Sequence, residues 1–220
     1  PYLQQLERQG VGLNVCLLVG HNSVRRGVMA LDNRAPTAAE LARMRAMVGE
    51  AMDDGAWGIS TGLKYLPGSF AKTDEVIALS RAAAARGGYY TSHLREEGLG
   101  LMDAVKEAIE IGRQAKIPIV LTHHKVVGQP MWGSSERTLA MVDSANAAGQ
   151  KIRIDQYPYT ATYTGIGILV VAAVLIGLAA EPIYDIAFHA AEQLTDPSTY
   201  IRAVNPQAGD YVLSASGGGG

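Results

Sequence analysis

Between residues 12 and 155 the apolar positions follow two alternating rhythms. Short β-rich runs at 13–19, 56–61, 89–93, 117–122 and 152–155 predict strands. Between them, apolar residues spaced three and four apart predict helices. Thr37 and Glu40 form a capping box, Leu41, Met44, Val48 and Met52 share one face, and Gly55 ends that helix. Thr73 is expected to cap the next helix, which Gly87-Gly88 closes. Leu101, Val105, Ile109 and Gly112 stripe a third, stopped by Pro118, and Ser134 or Ser135 opens a fourth that ends at Gly149. Ahead of all this, Leu3 and Leu6 mark a short polar helix closed by Gly10. A chain that opens at the end of a helix is expected to lack what came before it.

From the second run onward, strand starts recur about every 30 residues, the length of a βα unit, so the sheet should be parallel. The runs are nearly continuous in apolar residues, as strands covered on both faces tend to be. An open doubly wound sheet and a (β/α)8 barrel both satisfy this pattern. No G-x-G-x-x-G follows the first run, which weakens the dinucleotide-binding form of the open sheet. The expected fold is α/β, an incomplete (β/α)8 barrel of about five units.

Composition narrows the classes. Hydrophobic residues at 48% and charged residues at 18% describe a globular chain of 220 residues. A net charge of −2 supplies no electrostatic reason to bind nucleic acid or an anionic membrane. The single cysteine, Cys16, excludes an internal disulfide and fits a reducing, cytoplasmic location; its place mid-strand predicts core filling.

Chemistry in parallel α/β folds gathers at the carboxyl ends of strands. Those ends carry Gly20-His21-Asn22, Ser60-Thr61-Gly62, Ser92-His93-Leu94-Arg95, Thr122-His123-His124-Lys125 and Asp155-Gln156-Tyr157, so four of the five histidines fall there. His93 and His123 lie one repeat apart. Neighbouring strands are about 4.8 Å apart, so two such imidazoles can reach one ion at Zn–N distances of about 2.0–2.1 Å. His124 should face elsewhere, because adjacent strand residues point to opposite faces. Lys125 should return to the His123 side, to hold a carboxylate, polarise a carbonyl or sit solvated. Tyr65 and Tyr157 carry hydroxyls able to orient a ligand, or they pack beside Pro67 and Pro158. Asp155 is a candidate partner for a histidine N–H.

Taken together, Gly20-His21, the stretch Trp57-Gly-Ile-Ser-Thr-Gly-Leu-Lys-Tyr-Leu-Pro-Gly68, Ser92-His93-Leu94-Arg95-Glu96-Glu97, Thr122-His123-His124-Lys125 and Asp155-Gln-Tyr-Pro-Tyr159 resemble the N-acyl-D-amino-acid deacylases (D-aminoacylases) of the amidohydrolase superfamily. The resemblance covers residues 10–164. It implies a zinc site in a (β/α)8 barrel with His93 and His123 as metal ligands. It also implies that Tyr65, Lys125 and Tyr157 contact an N-acyl amino acid whose amide bond is hydrolysed.

Other parts of that family lack a counterpart in these residues: an H-x-H or H-x-D motif, a bridging Cys or Glu, and the catalytic aspartate. The chain is therefore expected to be a middle section, 1–164 forming the partial barrel, with little activity by itself and unpaired edge strands that favour self-association. Residues 165–180 are wholly apolar but shorter than the ~20 needed to span a bilayer. They open an atypical tail, 165–213, ahead of a Ser/Gly-rich end at 214–220. Two other readings stay open: a dihydroorotase- or hydantoinase-like amidohydrolase, and an inactive scaffold or membrane-associated piece.

Overall fold

The computed structural model describes residues 2–159 and 161–164. The apolar run at 165–180 and the tail and linker segments after it lie outside the described residues. The chain divides into two units, 1–161 and 162–220, and the first holds every described element.

Five strands, β1 (Leu18–Gly20), β2 (Gly58–Gly62), β3 (Tyr89–His93), β4 (Ile119–Leu121) and β5 (Ile152–Ile154), form one parallel sheet in the order β1-β2-β3-β4-β5. A doubly wound sheet reverses its order at a switch point; an unreversed order is that of a barrel wall. The helices are α1 (Tyr2–Gln9), α2 (His21–Met29), α3 (Ala38–Asp53), α4 (Thr73–Ala84), α5 (Leu101–Ala115) and α6 (Ser135–Ala147). From α2 to α6 each packs beside the next, so the structure is a partial barrel.

The core is where the two rhythms meet. Met44 and Val48 of α3, Val76 and Leu79 of α4, and Leu101, Val105 and Ile111 of α5 are buried with Ile59, Tyr90, Ile119, Leu121 and Ile152 of the strands. Each large aliphatic side chain buried in this way stabilises the fold by about 1.5–3 kcal/mol. Gly112 is needed for that contact, since a Cβ there would lie 2.2 Å from Ile119 Cδ1.

The Thr37 capping box forms in both directions, with Glu40 N–H donating to Thr37 Oγ1 (3.3 Å) and Thr37 N–H to Glu40 Oε2 (2.7 Å). Thr37→Ala should therefore lower stability by about 1 kcal/mol in a urea melt, as capping substitutions commonly do. An unchanged midpoint would show that the box is ornamental.

The structure departs from the sequence expectations in several places, among them the helix α2, which no periodicity marked. The first strand is shorter than 13–19, because β2 is its partner and pairing begins at Leu18↔Gly58. Leu13 and Cys16 are consequently exposed, and Cys16 is not core filling. Thr73 is the first residue of α4 and not its cap; the cap position is Lys72, and the Thr73 hydroxyl donates instead to Glu107 (2.8 Å).

Candidate metal centre

His93 is the last residue of β3, and His123 follows β4 by two residues. The register Ser92↔Leu121, continued by Thr122 N–H donating to Ser92 O at 3.1 Å, brings both to the same edge of the sheet. There His93 Nδ1 and His123 Nε2 face each other at 2.9 Å, with the ring centroids 4.5 Å apart and nearly perpendicular. His123 has φ +42°, a left-handed conformation that costs a non-glycine residue roughly 1–2 kcal/mol. Asp155, just past β5, holds that turn: its carboxylate accepts from the His123 backbone N–H (2.5 Å) and its carbonyl from His124 N–H (2.9 Å). Asp155 thus serves the backbone of His123 and not a ring nitrogen.

The other two strand-end histidines do structural work. His124 is buried, and its Nε2 donates to the Thr138 hydroxyl (2.8 Å), which itself donates to Ser135 O (2.9 Å). His21 opens α2 and is fully buried, with Nε2 2.9 Å from Glu75 Oε1. Arg25 pairs with the second Glu75 oxygen and also donates to the carbonyls of Asp32 (3.1 Å) and Arg34 (2.8 Å). The other His21 nitrogen meets Asn22 Oδ1 (3.2 Å), and Asn22 Nδ2 donates to Gly62 O (3.2 Å), tying this network to the loop that carries Tyr65. The packing is tight enough that a Cβ on Gly68 would fall 2.3 Å from Asn22 Oδ1.

The remaining candidates gather around the histidine pair. Tyr65 stands edge-on to His93 at 4.7 Å. Lys125 Nζ lies 2.9 Å from His123 Nδ1 and 5.9 Å from the centre of the Tyr157 ring. Lys64, in the loop after β2, is not among them and pairs with Glu96 (2.5 Å).

Glu97 had no assigned role in the sequence reading, although it stands four residues after His93. The loop after β3 turns it back, and Val127 N–H fixes its carbonyl at 2.8 Å. Its carboxylate, 12% exposed, receives Lys125 Nζ (2.6 Å) and lies 3.3 Å from His123 Nδ1 and 3.6 Å from His93 Nε2. His93, Glu97 and His123 thus offer three ligand atoms within 4.8 Å of one another.

Electrostatics favour metal-binding forms. Burial above all pushes the His93 pKa down to about 4, aided by His123, Lys125 and Lys64 against the pull of Glu97, so the ring is neutral at pH 7. Burial alone would raise the Glu97 pKa, but the neighbouring His123 and Lys125 side chains bring it below the ordinary carboxylate range. The facing nitrogens also fit an ion. Two nitrogens bound tetrahedrally at about 2.0–2.1 Å stand about 3.3–3.4 Å apart, a few tenths of an ångström beyond the observed 2.9 Å.

An unreversed wall of parallel βα units, with two histidines and a carboxylate at the carboxyl ends of adjacent strands, is a partial (β/α)8-type barrel with a candidate metal centre at its catalytic face. No protein-family profile matches the chain. The D-aminoacylase of Alcaligenes xylosoxydans xylosoxydans is 42% identical over 163 residues, 74% of this chain and 34% of its own length. The N-acyl-D-glutamate deacylase of the same organism is also 42% identical over 163 residues, 74% of this chain and 33% of its own. Among solved structures, a D-aminoacylase described as defining a novel subset of amidohydrolases superposes with a TM-score of 0.70 at 39% identity, covering 73% of this chain and 34% of that one. The N-acyl-D-glutamate deacylase of Bordetella bronchiseptica, solved with zinc and a phosphonate mimic of the reaction's tetrahedral intermediate, gives 0.69 at 42% identity over 72% of this chain and 33% of that one. Over about three quarters of its length the chain is thus similar to the D-aminoacylases among the amidohydrolases. It spans about one third of the length of the curated relatives it matches.

Proposed function

We propose that this chain is the central part of a zinc-dependent hydrolase that cleaves N-acyl-D-amino acids to a carboxylate and a free D-amino acid. The observation that carries the reading is the facing pair His93 Nδ1 and His123 Nε2, with a lysine and two tyrosines around it. Zinc held there supplies Lewis acidity towards an amide carbonyl and lowers the pKa of water towards ~7. The Lys125 ammonium binds the substrate carboxylate, a charge-assisted contact, and Tyr65 and Tyr157 orient the acyl-amino-acid on either side. Glu97 and Asp155 are both committed to other groups, so neither serves as the general base. A positioned base contributes ~10²–10⁴-fold, and residues 1–220 alone are inferred to turn over at least a hundredfold more slowly than a full-length relative. Cytoplasmic location and self-association through exposed sheet edges belong to the same proposal. Among the described residues, no helix is long and apolar enough to cross a membrane.

The test is hydrolysis of N-acetyl-D- and N-acetyl-L-amino acids by the full protein, with and without a chelator. Chelator-sensitive turnover of the D series is expected, and its absence with zinc present would overturn the reading. Lys125→Ala should raise KM about tenfold or more while leaving the zinc content intact, since a lost charge-assisted contact costs ~1.5–3 kcal/mol. Unchanged kinetics would reduce Lys125 to a structural lysine.

A further inference from the structure

The metal reading leaves Glu97 unexplained: a nearly buried carboxylate, four residues from one histidine, against which the other histidine and a lysine both pack. Which nitrogens it meets is informative. His93 presents Nδ1 to His123, and its Nε2 lies on the Glu97 side; His123 presents Nε2 to His93, and its Nδ1 lies on the Glu97 side. A neutral imidazole carries one N–H, and an acceptor at one nitrogen leaves the lone pair on the other. Each ring therefore turns to Glu97 the nitrogen that must bear hydrogen when the opposite one binds a cation.

We propose that Glu97 is the positioning residue of this centre. One carboxylate faces the outer nitrogens of both histidines, 3.6 Å from His93 Nε2 and 3.3 Å from His123 Nδ1, and draws their N–H to that side when an ion binds, which keeps His93 Nδ1 and His123 Nε2 as inward-facing lone pairs. The inference rests on the metal reading and deepens it. Without an ion, two lone pairs at 2.9 Å repel, and His123 relieves this by the alternative tautomer: Nε2–H donates to His93 Nδ1 while Lys125 donates to Nδ1. When a cation takes Nε2, hydrogen moves to Nδ1. Nδ1 then no longer accepts from Lys125, and its new N–H needs the Glu97 oxygen already 3.3 Å away. Lys125 keeps its 2.6 Å bond to Glu97 and gives up its bond to His123 Nδ1, leaving a hydrogen for a substrate carboxylate. Glu97 thereby links the state of the metal site to the readiness of the substrate-binding lysine.

The alternative is that Glu97 is itself a ligand, reached by turning both rings over. Chelator competition for zinc on the full protein separates the two, run on wild type, Glu97→Gln, Glu97→Asp and His93→Ala, with urea melts of the metal-free forms alongside. Wild type should bind zinc and His93→Ala should lose it; if wild type binds none, the metal reading itself fails and takes this inference with it. Glu97→Gln should weaken zinc about 10–100-fold, the usual effect of removing an outer partner of a ligating histidine, with Glu97→Asp partly restoring it. Nitrogen-15 NMR of the zinc-loaded wild type should show Nε2–H on His93 and Nδ1–H on His123. Zinc affinity unchanged in Glu97→Gln overturns the proposal. A loss as complete as that of His93→Ala also overturns it, since it makes Glu97 a ligand, and the opposite tautomers in the NMR spectrum do so as well.

Discussion

His93→Ala or His123→Ala should each abolish zinc retention, lowering affinity by on the order of a hundred- to a thousandfold. An apparent zinc affinity of ~10–16 kcal/mol is shared among three or four ligands, so one ligand carries roughly 3–4 kcal/mol. The two rings face each other at 2.9 Å at the ends of adjacent strands, and no other histidine among the described residues is placed to substitute. His124 supplies the control. It neighbours His123 in sequence but bonds Thr138, so His124→Ala should keep its zinc and lose stability instead. Elemental analysis after dialysis reads the outcome directly. A His93 or His123 variant that retains stoichiometric zinc would remove the centre from this part of the chain.

The second large effect is expected away from the metal. Arg25, His21 and Glu75 form a buried cluster in which one carboxylate is shared by two nitrogenous partners, all at 4% exposure or less. Removing Arg25 leaves that carboxylate short of a partner in the interior, which typically destabilises by about 3–5 kcal/mol. It also frees the carbonyls of Asp32 and Arg34 in the segment joining α2 to α3. The pH dependence follows from Glu75. Burial is the largest influence and by itself raises the pKa, but hydrogen bonds and charge from His21 and Arg25 outweigh it, so the folded value lies below the ordinary one. A carboxylate with a depressed folded pKa contributes stability that is fully present above its unfolded pKa, ~4.3, and is lost as pH falls through the folded value. Arg25→Ala should therefore weaken the protein at pH 7 and begin its acid unfolding at a higher pH than wild type. Urea melts between pH 3 and 7 test both; coincident curves for the two proteins would show that Arg25 is dispensable.

Strand order and the pairing of His93 with His123 were legible in the sequence because both are consequences of repetition. A βα unit about 30 residues long returns the chain to the same level of the sheet, so chemistry-bearing residues one repeat apart arrive side by side. The helix spanning 38–53 was legible for a more local reason: the Thr37–Glu40 box and the stripe of Met44, Val48 and Met52 act within a few residues of each other. The family resemblance, carried by residues such as Thr61-Gly62 and His123-His124-Lys125, was read from the same strand ends.

Tertiary structure alone decided the partners. Spacing sets His93 and His123 apart from the other strand-end histidines, but only the fold shows that His21 is claimed by Glu75, 54 residues away, and His124 by Thr138 on α6. Glu97 sits in an ordinary polar loop until the turn after β3 brings it under both imidazoles. The left-handed His123 turn depends on Asp155, just past the next strand, and Cys16 is exposed because, among the described residues, no strand pairs with residues 13–16. Periodicity records which face a residue occupies and where a repeat ends, since those are set by neighbours in the chain. Which groups then meet is set by register and loop path, contacts between residues tens of positions apart that no local pattern encodes.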